Sequence, residues 1–192
     1  MTANQKPRSP EKKRSNLPPF LIVVTSIALV TGVALAAQDR FTVKAPNGVA
    51  FSEFRGYDAW QDVAVSQTDE GIKVILGNPT MINAYKDGIP DNAKPFPEGS
   101  AVVKIEWSKV KNPVSPYSVM IPGTLKSVSF IQKDSKRFPE TSCWGYAQFL
   151  YDAPSESFKP FGTDASFAKT VCYQCHTAVT ARDYIFTAYR PR

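Results

Sequence analysis

Alternation of apolar and polar residues along much of the chain predicts β-strands. Five short runs rich in β-branched and aromatic residues show this pattern, with turn-forming residues between them. They cover residues 60–66, 71–76, 101–107, 125–132 and 144–151. The last run carries aromatic side chains on both faces, among them Trp144 and Phe149. It is therefore predicted to be a central strand that is covered on each side.

Two other segments show helical periodicity. Residues 79–87 place four apolar side chains at helical spacings and begin with Pro79, which suits a first helical turn. Residues 165–179 show a similar spacing near the C-terminus. Three prolines within residues 88–99 predict a surface loop. Helices packed beside a mainly antiparallel sheet indicate a single domain of the α+β class.

The N-terminal residues have a different character. Residues 20–37 carry no charge and follow a basic stretch, a pattern typical of a membrane-engaging segment. Small residues at Ala34 and Ala36 predict a signal peptide (residues 1–36) that is cleaved after Ala36. An uncleaved membrane anchor is the alternative, because 18 apolar residues are close to the minimum for spanning a bilayer. Either segment predicts export to the periplasm, with a linker or entry segment at residues 37–58 and the functional domain at residues 59–192.

The charge distribution narrows the range of partners. The formal net charge is +6, but five of the 23 Lys and Arg residues lie within residues 6–14. Residues 37–192 contain 18 Lys and Arg against 16 Asp and Glu. No nucleic-acid partner is therefore expected. Apolar (43%) and charged (21%) residues have ordinary globular frequencies, which exclude a fully disordered chain or a multi-span membrane protein.

The clearest chemical motif is Cys172-Tyr173-Gln174-Cys175-His176, which contains the only histidine of the chain. This spacing is the attachment signature of a c-type haem. Two thiols three residues apart can form thioether bonds with the two vinyl groups of one porphyrin, and the next imidazole can bind the iron as proximal ligand. One covalently attached haem c per chain is predicted, with Cys172, Cys175 and His176 binding it.

Three other uses of these cysteines remain open from the residues alone. They are a disulfide between Cys172 and Cys175, a thioredoxin-like redox pair, and a zinc site that recruits Cys143 as fourth ligand. Only 16 residues follow His176, too few for a thioredoxin-like sheet. Cys143 is otherwise expected to be a small buried apolar residue or a reactive thiol, and we assign it no role.

The sixth iron ligand decides the function. Met81 and Met120 are the candidates, because no second histidine exists and Met1 belongs to the targeting segment. Met81 falls in the apolar stripe of a predicted helix, whereas Met120 lies in an irregular loop. An open, five-coordinate iron is favoured, and the alternative is a simple electron-transfer cytochrome with a methionine ligand.

Several segments together resemble the cytochrome P460 family. In chain order they are residues 77–79, 96–99, 103–107, 133–138, 144–146, the haem pentad and residues 183–187. The resemblance implies a sheet-rich fold with flanking helices, an often dimeric protein, and an iron with an open distal side. It also implies that Lys104 corresponds to the lysine whose side-chain nitrogen is bonded to a haem meso carbon in the P460 type.

From composition alone, Lys104 would be solvated or paired with Glu106, which strand alternation places on the same face. In the related cytochrome c-prime-beta branch the lysine bond is absent, and those proteins bind nitric oxide. Hydroxylamine oxidisers of the family use a distal carboxylate shortly before the first haem cysteine. Residues 166–171 contain no acid here, and Asp164 is the nearest. The expected function is oxidation of hydroxylamine or nitric oxide with electrons passing to a periplasmic carrier, and the alternative is non-catalytic nitric oxide binding.

Overall fold

The computed structural model describes residues 38–191. They form a six-stranded antiparallel sheet in which each strand pairs with the next along the chain. The strands are β1 (Gln61–Gln67), β2 (Ile72–Gly77), β3 (Ala101–Lys111), β4 (Met120–Lys133), β5 (Trp144–Asp152) and β6 (Ser157–Pro160). With the flanking helices this arrangement confirms the predicted α+β class.

The helices are short. Helix α1 (Pro79–Lys86) begins as predicted, because the side chain of Asn78 accepts a hydrogen bond from the Met81 amide and Pro79 occupies the first turn. Near the C-terminus a π-helix (Ala168–Tyr173) continues as one α-helical turn, α2 (Gln174–His176), and as a 3-10 helix (Thr177–Arg182). We call residues 168–182 the C-terminal helical segment. Further 3-10 turns are Arg40–Thr42, Phe51–Phe54, Tyr57–Ala59 and Pro139–Thr141.

One face of the sheet, which we call the first face, packs against residues 43–57. Phe130 of β4 is fully buried there, stacked on Phe54 at 4.0 Å between ring centroids and edge-on to Phe51 at 4.9 Å. Residues 37–58, predicted to be a linker, therefore contribute core side chains to the domain from Val43 onward. Burying each phenylalanine contributes about 1.5–3 kcal/mol, which explains why this segment does not remain extended in solvent.

The opposite face, the second face, packs against α1, Phe96 and the C-terminal helical segment. Strand β5 contributes to both faces, with Phe149 on the first and Trp144 on the second. Its predicted coverage on both sides is confirmed, although it lies next to the edge strand β6 and not at the centre of the sheet. Gly145 is required in this strand, since a Cβ atom there would come within 2.2 Å of the Phe138 ring.

Strands β3 and β4 extend beyond the part of the sheet that β2 covers. Pairing with β2 ends at Trp107, whereas pairing between β3 and β4 continues to Lys111 and Met120. Within residues 38–191 no helix is long and apolar enough to cross a bilayer. The predicted signal or anchor segment, residues 20–37, lies outside the described residues.

Candidate functional site

A cavity of about 370 Å³ lies between the second face of the sheet and the C-terminal helical segment. All four predicted site residues line it: Lys104, Cys172, Cys175 and His176. The sheet wall is formed by a row of residues paired across four strands. This row consists of Ile75, Lys104, Ser129 and Gln148. Antiparallel register therefore places Lys104 in the wall of the cavity that Cys172, Cys175 and His176 also line, despite their long separation in sequence.

His176 is oriented by the backbone. Its Nδ1 atom lies 2.6 Å from the carbonyl oxygen of Tyr184, which can only accept a hydrogen bond. Nδ1 must therefore carry the proton, which leaves Nε2 with a lone pair for a metal. The rings of Tyr146 and Phe186 each lie 5.0 Å from the imidazole. Burial lowers the pKa of His176 and favours the neutral form that binds iron.

The two motif cysteines differ in environment. Cys172 is half-buried against the second-face core, whereas Cys175 is exposed. Burial raises the pKa of the Cys172 thiol, so it stays protonated at neutral pH. All three cysteines of the chain are free thiols in the described structure. The helical segment thus presents two unpaired thiols and the histidine to the same cavity.

Lys104 lies in the middle of β3 and is half-buried. Within the described part of the chain its amine makes no hydrogen bond or ion pair, and the expected partner Glu106 instead binds Lys126 at 3.2 Å and Lys73 at 4.0 Å. Burial, with a further contribution from the charge of Lys73, lowers the pKa of Lys104, although Glu106 acts in the opposite direction. The amine is therefore easier to deprotonate than an ordinary lysine.

Other residues considered as ligands lie elsewhere. Met81 is fully buried in the second-face core, and Met120 pairs with Lys111 at the far end of the β3–β4 hairpin; neither lines the cavity. Asp164 is exposed and accepts hydrogen bonds from Ser166. Among residues 38–191 no group of three His, Cys, Asp or Glu side chains is placed to hold a metal.

Several cavity residues were not predicted from the sequence. The most informative are Ser129 and Tyr146, because their hydroxyl oxygens are buried without a hydrogen-bond partner in the described structure. Strand alternation could have identified Ser129 once its pairing with Lys104 was known. The position of Phe186 depends on the turn at Asp183 and Tyr184, both of which have positive φ. No local sequence pattern predicts that turn.

This set of groups fits a covalently attached porphyrin. The cavity offers one imidazole with a free Nε2, two thiols three residues apart and largely apolar walls. Buried hydroxyls without partners at the wall indicate that protein atoms alone do not complete the site.

Comparison with known proteins adds one finding. The family model Cytochrome P460 matches residues 54–187, a range that includes every cavity residue named above. A search of curated proteins gives no match.

Proposed function

The chain belongs to the cytochrome P460 family and is therefore a haem protein, and from this premise we propose that one haem c is bound covalently through Cys172 and Cys175. The observation that carries the proposal is the joint placement of both thiols and His176 at one cavity. His176 would hold the iron through Nε2, because Nδ1 is committed to the Tyr184 carbonyl.

When bound, the haem would supply an iron that can change its oxidation state and bind a small ligand. Among the described residues, neither Met81 nor Met120 lines the cavity, so no methionine there is placed to bind the iron. We therefore favour an open iron over the electron-transfer alternative with a methionine ligand. Small nitrogen species are the ligand class that the family resemblance implies.

Binding of nitric oxide is the activity that the cavity walls support best. Within residues 38–191, the residues that line the cavity include no Asp or Glu, and most of their side chains are apolar. A neutral diatomic ligand requires no proton transfer from the protein, whereas oxidation of hydroxylamine requires a base near the substrate.

Oxidation of hydroxylamine is the second candidate, and the position of Lys104 favours it. Because burial lowers the pKa of Lys104, its amine loses a proton more readily than an ordinary lysine, and the free amine could then act as the base. The electrons released would pass to a periplasmic carrier. If the Lys104 nitrogen is instead bonded to the macrocycle, the amine is consumed and cannot act as that base.

Location and assembly are further parts of the proposal. Haem attachment to a Cys-x-x-Cys-His motif takes place outside the cytoplasm, which agrees with the export predicted from residues 1–37. The protein would work in the periplasm, either free or held by residues 20–37. A homodimer is expected from the family resemblance.

Production of the full chain in a host with cytochrome c maturation machinery tests the proposal. Intact mass should show one added haem, and the ferrous protein should bind nitric oxide stoichiometrically. Anaerobic turnover with hydroxylamine should not exceed that of free haem if binding is the function. Turnover well above free haem would support the second candidate. Protein without haem would overturn both, and a low-spin spectrum with a methionine-to-iron band would refute the open site.

A further inference from the structure

Asp183 is the centre of a buried polar network behind the cavity. Its Oδ2 atom accepts hydrogen bonds from Lys133 Nζ at 2.5 Å and from the Phe96 amide at 2.8 Å. Its Oδ1 atom accepts one from Trp144 Nε1 at 3.3 Å. The side chains of Lys133 and Asp183 are only 9% and 13% exposed. The carboxylate therefore joins the C-terminal residues to β4, β5 and the loop that contains Phe96.

The network holds a turn of unusual backbone conformation. Asp183 and Tyr184 have φ values of 49° and 66°, in the left-handed region that non-glycine residues rarely adopt. The turn follows the C-terminal helical segment, and the Tyr184 amide donates to the Val179 carbonyl. Ile185, the next residue, is buried in the second-face core. Such a conformation persists only when surrounding contacts fix it.

The turn directs one carbonyl at the proximal histidine. The Tyr184 oxygen is the group that accepts the His176 Nδ1 proton at 2.6 Å. A hydrogen bond from Nδ1 makes Nε2 a stronger donor to a bound metal, which stabilises the oxidised metal and lowers its reduction potential.

We propose that Asp183 is a positioning residue for the proximal ligand, fixing the Tyr184 carbonyl against His176 and thereby setting the iron potential. This inference rests on the proposed haem site. The Asp183 carboxylate makes no hydrogen bond to His176 or to the motif cysteines. It therefore acts through the backbone of the turn. Loss of the carboxylate should loosen the turn, weaken the Nδ1 hydrogen bond and raise the potential.

A charge-neutral double variant separates this role from simple electrostatics. Asp183→Asn alone removes a buried negative charge, which would raise the potential even if the turn stayed in place. Asp183→Asn combined with Lys133→Met removes one charge of each sign, so the net change in charge is zero. We expect the haem-loaded double variant to keep a raised potential and to show a lower iron–histidine stretching frequency by resonance Raman spectroscopy of the ferrous form.

The result that overturns the inference is a double variant with wild-type potential and stretching frequency. Val128→Ala, a core truncation on the first face, serves as the control for lost stability and should leave the stretching frequency unchanged. If the double variant fails to fold, Trp144→Phe removes the Nε1 donor together with some buried ring volume, and it should shift the potential and the stretching frequency slightly in the same directions. No shift in Trp144→Phe would then count against the proposal.

Haem content measured by intact mass keeps the two proposals apart. A wild-type protein without covalent haem refutes the proposed function. A fully loaded double variant that behaves like wild type refutes only the role of Asp183.

Discussion

The two faces of the sheet differ although they are built from the same strands. Val103 and Val128 are fully buried in the core of the first face, whereas their sequence neighbours Lys104 and Ser129 line the cavity of the second face. Strand alternation thus separates a completed hydrophobic core from an incomplete one by a single residue. The first face is closed by packed aromatic rings, and the second face keeps space for a ligand.

The largest effect should come from removing both motif thiols. In Cys172→Ala/Cys175→Ala we expect covalent haem to be lost completely, because no other thiol lines the cavity within the described structure. The first face should still support a cooperatively unfolding sheet. Intact mass and thermal unfolding followed by circular dichroism would check this, with Cys143→Ala as the control that retains haem. A double variant that does not fold would show that the faces are not independent.

The second prediction compares two neighbouring residues of β4. Phe130→Ala should lower the free energy of unfolding by about 3–5 kcal/mol, because it leaves a cavity among packed aromatic rings. Ser129→Ala should change it by less than about 1 kcal/mol, since the Ser129 hydroxyl has no partner to lose. Urea unfolding of the apoprotein measures both. If both variants lost the same free energy of unfolding, the distinction between the two faces would be contradicted.

Replacing Lys104 should affect spectrum and stability in a predictable direction. Lys104→Met should keep the haem attached but remove any red shift of the ferrous Soret band that contact with the lysine causes. An unchanged spectrum would argue against contact. In the apoprotein the same change should raise the free energy of unfolding by about 1 kcal/mol at pH 7, because it removes an unpaired, half-buried ammonium group.

This stabilisation should depend on pH. Folding lowers the pKa of Lys104, so protonation destabilises the native state below the folded pKa, and that penalty fades as pH rises towards 10.5. The gain in free energy of unfolding of Lys104→Met over the wild type should therefore shrink as the pH rises towards 10.5. Lys126→Met is the matched control. Lys126 is paired with Glu106, so its loss should bring no gain in stability.

The smallest effect is expected at the edge of the first face. Despite the opposing effect of burial, hydrogen bonds from Arg137, Gln132 and the Ala50 amide lower the pKa of Glu53. The resulting stability is present above pH 4.5 and is lost as pH falls through the folded pKa. Glu53→Gln should remove this acid-side dependence, a change of less than about 1 kcal/mol for so exposed an ion pair. Unfolding midpoints at pH 3–6 would reveal it, and an unchanged acid profile would contradict it.

Features that depend on a local pattern of residues, such as the strands and the cysteine motif, could be predicted from the sequence. The haem motif occupies five consecutive residues, and alternation identified five of the six strands. Lys104 was singled out only through the family resemblance, because a lysine in a strand is usually solvated. Residues 37–58 are predicted only as a linker or entry segment, since short 3-10 turns produce no periodicity that would reveal the buried side chains found there.

Asp183 lies in one of the segments that resemble the family, residues 183–187, but no local pattern predicts the role that we propose for it. Its ion pair with Lys133 joins residues far apart in the chain, and its left-handed backbone runs against the usual preference of non-glycine residues. Long-range electrostatics and a strained turn leave no pattern in the residues around them.

The hydrogen bond to His176 is accepted by a main-chain atom, and this limits how mutation can alter it. Any amino acid at position 184 supplies the same oxygen, so saturation mutagenesis there would understate the importance of the contact. Attempts to change the proposed iron potential should instead vary the residues that hold the turn, which are Asp183 and its partners Lys133 and Trp144.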